Sequence, residues 1–235
     1  MHFITAEWLR SRDACPEDIA SFNERYPEGV DALTHLRSLA EHNPSWGLWV
    51  AVRLPEFTQV RSHWLLWVLG NPQYGAIRAA EGDERTLGAV RTVIALLERD
   101  VKGDSPSREE WDRADAAAAR VADGAETMAT EWATRAAWAA ARGRGLAVAW
   151  AAWAAAQGMA AQWAADAAWA GMTAQWAAWA RARAVENAEA HANAKQVVKQ
   201  AREQAVRIAQ LVVQKMQLHK LIELLDQETS KSKVC

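Results

Sequence analysis

The sequence predicts an all-α fold: a multi-helix bundle of short N-terminal helices, an Ala/Trp-rich antiparallel helical core and a long amphipathic C-terminal helix. First, residues 146–180 hold one charged side chain and six tryptophans among alanines. Alanine is the best helix former, and its small side chain lets helices approach closely. Second, the β-branched residues that favour strands are sparse between residues 101 and 197. Third, apolar residues after residue 196 recur at the alternating spacing of three and four that a helix buries on one side.

Proline, glycine and capping residues divide the first hundred residues into short helices. Thr5 can cap the first helix, and Pro16 occupies the first turn of the second. Residues 26–29 form a turn, a helix follows over about residues 30–42, and Pro44 opens the next one.

Two of the next helices carry tryptophans three residues apart, which places each pair on one helical face. These pairs are Trp46 and Trp49 within residues 45–54, and Trp64 and Trp67 within residues 56–69. A strongly apolar helix over residues 84–101 completes the predicted N-terminal helical domain, residues 1–102.

A boundary at residues 102–106, which contain glycine, aspartate, serine and proline, separates this domain from the next. Ser107 and Glu110 have the spacing of a capping box, so a helix starts there. The second predicted domain, residues 106–192, is an Ala/Trp-rich helical bundle. Residues 143–145 (Gly-Arg-Gly) are predicted to form a turn between two of its antiparallel helices.

Asp166 is the only charged residue within the apolar stretch of this bundle. A buried, unpaired carboxylate is costly, so we expect Asp166 either at an exposed edge or paired with an arginine such as Arg135 or Arg144. The functional alternative makes Asp166 a polar anchor in a groove that receives a partner or a ligand.

The third predicted segment, residues 193–228, is an amphipathic helix with a coiled-coil pattern. Its apolar residues occupy the a and d positions of one heptad frame: Val197, Ala201, Ile208, Leu211, Leu218, Ile222 and Leu225. Gln204 and Lys215 fall in the same seam, where polar residues fix register at a cost in stability. Two arrangements stay open. The helix packs on the Ala/Trp bundle, or it pairs with a second copy and gives a homo-oligomer through residues 197–225.

The sequence contains no recognisable pattern of catalytic, metal-binding or cofactor-binding residues. Its six histidines form no HExxH motif, and residues 143–145 are neither a Walker sequence nor a GxGxxG motif. Cys15, at a helix start, has no marked base to activate it as a nucleophile. We therefore expect no catalytic residue, no metal, no cofactor and no enzymatic activity.

The composition favours a protein of the cytoplasm. Cys15 and Cys235 do not make a disulfide framework, and the first residues lack the basic and apolar segments of a signal peptide. Residues 146–180 are long enough to cross a bilayer, but alanine contributes little transfer free energy, and glutamines and Asp166 interrupt the stretch. We expect no membrane association.

The distribution of charge argues against nucleic acid as the partner. Residues 1–180 hold 17 Lys and Arg against 23 Asp and Glu, whereas residues 181–235 hold 10 against 6. The basic residues of the last helix lie far in sequence from the tryptophan cluster, although single-strand binding needs stacking and charge side by side. For contact with a protein partner we single out Trp46 and Trp49, near a turn, and Trp111, beside acidic residues.

Two parts of the chain resemble proteins of mobile genetic elements. The motifs Glu7-Trp8-Leu9, Ala14-Cys15-Pro16-Glu17, Tyr26-Pro27-Glu28-Gly29 and Trp64-Leu65-Leu66-Trp67 resemble the front of alanine- and tryptophan-rich proteins of bacteriophages and prophages. The Ala-rich middle is similar to immunity-protein-like helical families with AAxAA repeats. This resemblance implies an origin in a mobile element, where small non-enzymatic proteins often bind and disable another protein.

The sequence thus favours a phage or mobile-element protein that binds and inactivates another macromolecule. An anti-defence inhibitor directed at a host defence complex, such as a CRISPR effector, is the leading hypothesis, with the host cell cytoplasm as its location. A toxin-neutralising immunity protein and a structural or assembly protein of a phage are the alternatives. An enzyme would instead need a polar pocket with perturbed titrating groups.

Overall fold

The computed structural model describes residues 2–73, 75–123, 128–141 and 188–232. Within these residues the fold is all-α, as predicted, with ten helices and one two-stranded antiparallel sheet. The first elements are β1 (Phe3–Ile4), α1 (Ala6–Arg10), α2 (Pro16–Arg25), β2 (Val30–Asp31), α3 (Ala32–His42) and α4 (Pro44–Ala51). They are followed by α5 (Phe57–Gly70), α6 (Ala76–Ala79), α7 (Glu84–Val101), α8 (Arg108–Ala122), α9 (Met128–Ala141) and α10 (Ala188–Ser232), the C-terminal helix.

Several helices begin at the capping residues that the sequence offers. The Thr5 hydroxyl accepts a hydrogen bond from the Trp8 backbone N–H at 3.1 Å, and the Asn43 side chain caps α4 in the same way. At α8 the side chains of Ser107 and Glu110 each accept a hydrogen bond from the other's backbone N–H, which confirms the predicted capping box.

The start of α3 differs from the expected helix over residues 30–42. Val30 and Asp31 form β2 instead, and Val30 lies opposite Ile4 in the pairing with β1. The Asp31 carboxylate accepts a hydrogen bond from the Thr34 N–H at 3.0 Å, so Asp31 is the N-cap and the helix begins after it. A strand of two residues has no alternating pattern, and the sequence therefore did not reveal it.

One apolar cluster runs through the described helices. α7 packs against α5, α8 and α9, and α8 packs against α9. The side chains of Leu87, Val90, Val93 and Leu97 in α7 are buried, as their spacing predicts. The helices on the two sides of residues 102–106 therefore contact each other, and the division of the chain into three domains stays a prediction.

The C-terminal helix docks on the first half of the chain through residues 213–229, which we call its docked part. This part contacts α3, α4 and α5. Leu218 and Leu221 are fully buried, and Leu225 is nearly so. Burial of one leucine side chain contributes about 1.5–3 kcal/mol, so these contacts dominate the attachment of the helix.

Two residues of the receiving surface determine how the docked part is seated. A Cβ atom at Gly47 would lie 2.3 Å from Cδ2 of Leu218, so a glycine here lets α4 and the C-terminal helix come close together. Trp64, fully buried in α5, donates a hydrogen bond from its indole Nε1 to the Gln217 carbonyl oxygen at 3.1 Å. A buried indole N–H without this acceptor would cost about 1–3 kcal/mol, which favours one position of the helix.

Two ion pairs at the edge of this contact help to orient the C-terminal helix. Lys215 Nζ lies 2.5 Å from Oε2 of Glu41, and an Arg37 guanidinium nitrogen lies 2.7 Å from Oδ2 of Asp226. The four side chains are largely exposed, so the pairs contribute little to stability. They favour one rotation of the C-terminal helix about its own axis. In this rotation Lys215, which the sequence predicts in the coiled-coil seam, pairs with Glu41.

The heptad stripe of the C-terminal helix is divided between two environments. Its second half, Leu218, Ile222 and Leu225, is buried within the same chain, which removes these residues from the predicted homo-oligomer seam at 197–225. Residues 200–212, the outer part of the helix, present Ile208 and Leu211 to solvent with 55% and 56% of their surface exposed. The docked part is therefore covered within the chain, but by α3, α4 and α5 of the N-terminal helices and not, among the described residues, by the Ala/Trp bundle on which the first of the two open arrangements placed it.

Two sequence predictions, the apolar stretch 146–180 with Asp166 and the turn at 143–145, lie outside the described residues. Among the residues that are described, no helix combines the length and the apolar character that crossing a membrane requires.

A candidate interaction surface of rings and arginines

Four rings from three parts of the chain form a continuous aromatic cluster: Tyr26 after α2, His35 in α3, and Trp46 and Trp49 in α4. The Tyr26 and His35 ring centres are 5.2 Å apart, and the His35 and Trp46 centres are 5.4 Å apart, both edge to face. Trp46 and Trp49 stack at 6.2 Å with an angle of 12° between their planes. Such offset pairs contribute about 0.5–1.5 kcal/mol beyond the area that they bury, so the cluster is a preformed surface.

Arginines lie on rings at both ends of this cluster. The Arg53 guanidinium carbon is 3.9 Å from the centre of the Trp49 ring, and one N–H of Arg53 donates to the Trp49 carbonyl oxygen at 3.0 Å. At the other end, the Arg25 guanidinium carbon lies 5.6 Å from the centre of the Tyr26 ring. Arg12 lies 5.9 Å from the ring centre of Trp8, which belongs to α1. These are cation–π contacts, and they hold the arginines against the surface.

The end of the cluster at Arg53 carries a positive potential. Burial and the neighbouring charge of Arg12 lower the pKa of Arg53, whereas Asp13 raises it. An arginine stays charged in spite of such a shift, so the two guanidinium groups repel each other. Among the described residues, Arg12, Arg25 and Arg53 have no carboxylate within ion-pair distance.

His35 is the buried ring of the aromatic cluster. Only 5% of its surface is exposed, and within the described part of the chain neither ring nitrogen has a hydrogen-bond partner. Burial, and then the charge of Arg25, lower the pKa of His35 to about 4. The imidazole is therefore neutral near pH 7, and it packs edge to face against Phe22, Tyr26 and Trp46. No sequence motif marks His35, and only the fold shows that its ring is buried.

The short helix α4 positions half of this cluster through its spacing. Residues three apart share one face of a helix, so Trp46 and Trp49 stack, and Arg53 follows four residues later. The Asn43 side chain fixes the start of α4 by accepting from the Trp46 N–H at 3.1 Å. The opposite side of α4 carries Gly47, against which the docked part of the C-terminal helix lies.

The structure brings together only some of the residues predicted for partner binding. Trp46 and Trp49 are half-buried and in contact with each other, as one helical face requires. Trp111 is also half-buried, but it lies in α8, away from this pair; all three tryptophans pack against the apolar core. Asp166 lies outside the described residues.

Sequence reasoning missed three other residues of this surface. Tyr26 and His35 come from α2 and α3, and only the folding of the chain brings them beside Trp46. Arg53 was detectable, because it follows Trp49 by four residues and an arginine at this distance can cover a ring.

Three further features of the part of the chain that the structure describes bear on its chemistry. No group of three or more His, Cys, Asp or Glu side chains there could hold a metal ion. A cavity of about 10 Å³ between His2, Glu56 and Leu225 has room for roughly one water molecule. Cys15 is exposed as a free thiol at the start of α2.

Comparisons of this chain with protein-family models, with curated proteins and with solved structures gave no match. The resemblance to alanine- and tryptophan-rich phage proteins therefore stays a prediction from the residues that carry it.

Proposed function

We propose that this chain is a non-enzymatic protein of a phage or mobile element that binds another macromolecule through the aromatic cluster and thereby inactivates it. An inhibitor of a host defence complex, acting in the host cytoplasm, is the form of this function that we favour. The observation that carries the proposal is the stacked pair Trp46 and Trp49, half-buried on a fixed helix and followed by the guanidinium of Arg53.

The composition of the surface supports a protein partner. Tryptophan, tyrosine and arginine are the residues most enriched in interface hot spots. Aromatic side chains have few rotatable bonds, and those of this cluster already pack against one another, so little conformational entropy is lost on binding. A partner would cover the remaining exposed surface of Trp46 and Trp49 and gain the corresponding hydrophobic free energy.

A protein partner is also favoured over single-stranded nucleic acid. The sequence argument against nucleic acid rested on the separation of basic residues from tryptophans, and at this surface the fold does place arginines on rings. However, bases bind by stacking on free ring faces. Trp49 already packs against Trp46 and Arg53, which leaves its edge rather than its faces for a partner.

Self-association is a further part of the proposal, restricted to the outer part of the C-terminal helix. Ile208, Leu211 and Val212 lie on one helical face and leave 55%, 56% and 42% of their surfaces exposed. An isoleucine at position a and a leucine at position d favour a two-stranded coiled coil. We expect the full chain to dimerise through this stripe, and Leu211→Ser to give a monomer in sedimentation analysis.

The experiment that tests the main proposal is affinity purification of the full chain from cells that carry its gene. We expect a specific macromolecule to co-purify, and the double variant Trp46→Ala/Trp49→Ala to lose it. Trp67→Ala is the matched control, since Trp67 is half-buried on α5, away from the cluster. In a phage-plating assay on a host with the corresponding defence system, the control should protect the phage and the double variant should not. A double variant that is folded, retains the co-purified macromolecule and protects the phage would refute the proposal.

A further inference from the structure

We infer that the partner presents an acidic protein segment to this surface, whose carboxylates bind Arg12, Arg25 and Arg53 around the aromatic cluster. This inference rests on the proposed function and specifies the chemistry of the partner. Each of these three arginines contacts an aromatic ring, and none has a carboxylate within ion-pair distance among the described residues.

The arginines of this surface have N–H donors that are available to a partner. A guanidinium group has five N–H donors in a planar fork that matches the two oxygens of a carboxylate. The hydrogen bond to the Trp49 carbonyl oxygen engages NH1 of Arg53. Arg99 shows the pairing that such a group makes when carboxylates are near, since it binds Asp104 and Glu110 at 2.7 and 2.6 Å. The three arginines of this surface lack such partners among the described residues.

The charge of Arg12 also bears on the Arg53 end of the surface. Burial first, and then the nearby charge of Arg12, lower the pKa of Arg53, so a second cation lies close enough to repel the Arg53 guanidinium. Asp13 offsets only part of this repulsion. A carboxylate that approaches both groups removes the repulsion and adds charge-assisted hydrogen bonds, so an acid gains more here than at a single exposed arginine.

A continuous series of contacts connects Arg25 with Arg53 through Tyr26, the buried His35, Trp46 and Trp49, in five steps none longer than 6.2 Å. These steps limit the distance between the two guanidinium groups to about 26 Å. An extended chain advances about 3.3 Å per residue, so a segment of about eight residues is long enough to reach both arginines. Acidic residues toward both ends of such a segment reach the arginines, and apolar residues between them cover Trp46 and Trp49.

The experiment measures the binding of a fluorescein-labelled peptide of twenty glutamates to the full chain by fluorescence anisotropy. We expect saturable binding that weakens as salt is added, because exposed charges are screened. The triple variant Arg12→Gln/Arg25→Gln/Arg53→Gln should weaken binding at least tenfold. The control Arg85→Gln/Arg91→Gln/Arg113→Gln removes the same charge at exposed positions of α7 and α8 and should change it less than twofold.

Two results would overturn the inference. The first is equal binding of the peptide by the two triple variants. The second is tighter binding of an oligothymidylate of twenty nucleotides that the Arg12→Gln/Arg25→Gln/Arg53→Gln variant also loses, because this result would assign the surface to nucleic acid. Failure of the inference is distinguishable from failure of the proposed function. If the arginine variant keeps the co-purified macromolecule and Trp46→Ala/Trp49→Ala loses it, the proposed function stands and the acidic partner does not.

Discussion

The two sides of helix α4 differ in what covers them. On one side, Gly47 and Leu48 are buried, and the C-terminal helix lies so close that a Cβ atom at Gly47 would meet Leu218. On the other side, Trp46 and Trp49 pack against His35 and against each other but stay half-buried. The inner side is covered by other parts of the chain, whereas the large rings on the outer side remain partly exposed.

This difference shows how an eight-residue helix without a polar face can stabilise the fold on one side and, as we propose, bind a partner on the other. A small residue on the inner side permits close packing, and the apolar area that it buries stabilises the fold. Large rings on the outer side cannot be covered by the short helices around them, and an adjacent arginine keeps this side compatible with water. Changes to the inner side should therefore lower the free energy of unfolding, and changes to the outer side should mainly lower binding.

The largest effect is expected for Leu218→Ala on the inner side. Leu218 is fully buried, so the substitution removes its contacts and leaves a cavity, and we expect a loss of about 3.5 kcal/mol in the free energy of unfolding. The substitution Glu203→Ala, at an exposed position of the outer part that lies outside the stripe of Ile208 and Leu211, should cost less than about 0.5 kcal/mol. Urea unfolding of both variants measures the difference. Equal losses would show that the docked and outer parts are not distinct.

A slightly smaller effect is expected for Gly47→Val. The added side chain collides with Leu218 and forces α4 and the C-terminal helix apart, at a cost of about 3 kcal/mol. Gly88→Ala is the control, because no atom lies within 4 Å of a Cβ atom at Gly88 in the middle of α7. Alanine should stabilise that helix by about 0.5–1 kcal/mol. Thermal unfolding of the two variants should thus shift in opposite directions, and a neutral Gly47→Val would contradict the close packing of the inner side.

The third effect is a pH dependence that originates on the outer side. The pKa of His35 is about 4 in the folded chain and near 6.5 when the chain is unfolded. Its contribution to stability is therefore complete above pH 6.5 and decreases as the pH falls through 4, by about 3 kcal/mol in all, of which about 1.5 kcal/mol is lost between pH 6.5 and pH 5. His35→Phe keeps the ring and removes the titration, so its unfolding free energy should vary less between pH 6.5 and pH 5. If the unfolding free energy of the unchanged chain and of His35→Phe varied equally with pH, His35 would not be buried as a neutral ring.

The parts of this structure that the sequence predicted are those governed by neighbouring residues. The capping residues Thr5 and Ser107 stand where helices begin, because their hydrogen bonds join residues three apart. The stacking of Trp46 and Trp49 follows from their spacing in the same way.

The parts that escaped prediction depend on contacts between residues distant in the chain. The heptad stripe indicated that one side of the C-terminal helix is buried, but the covering surface is set by Gly47 and Trp64, more than 150 residues away. The aromatic cluster escaped for the same reason, since Tyr26 and His35 reach Trp46 only through the packing of α2, α3 and α4.

The most direct test of the central claim is photo-cross-linking from the aromatic cluster in cells that carry the gene. Tyr26 is replaced by p-benzoylphenylalanine, which keeps an aromatic ring in the cluster, and Arg91 on the exposed side of α7 is replaced in a second protein. We predict a discrete cross-linked species with another macromolecule from position 26 and none from position 91. No adduct from position 26, or equal yields from the two positions, would contradict the assignment of binding to this surface.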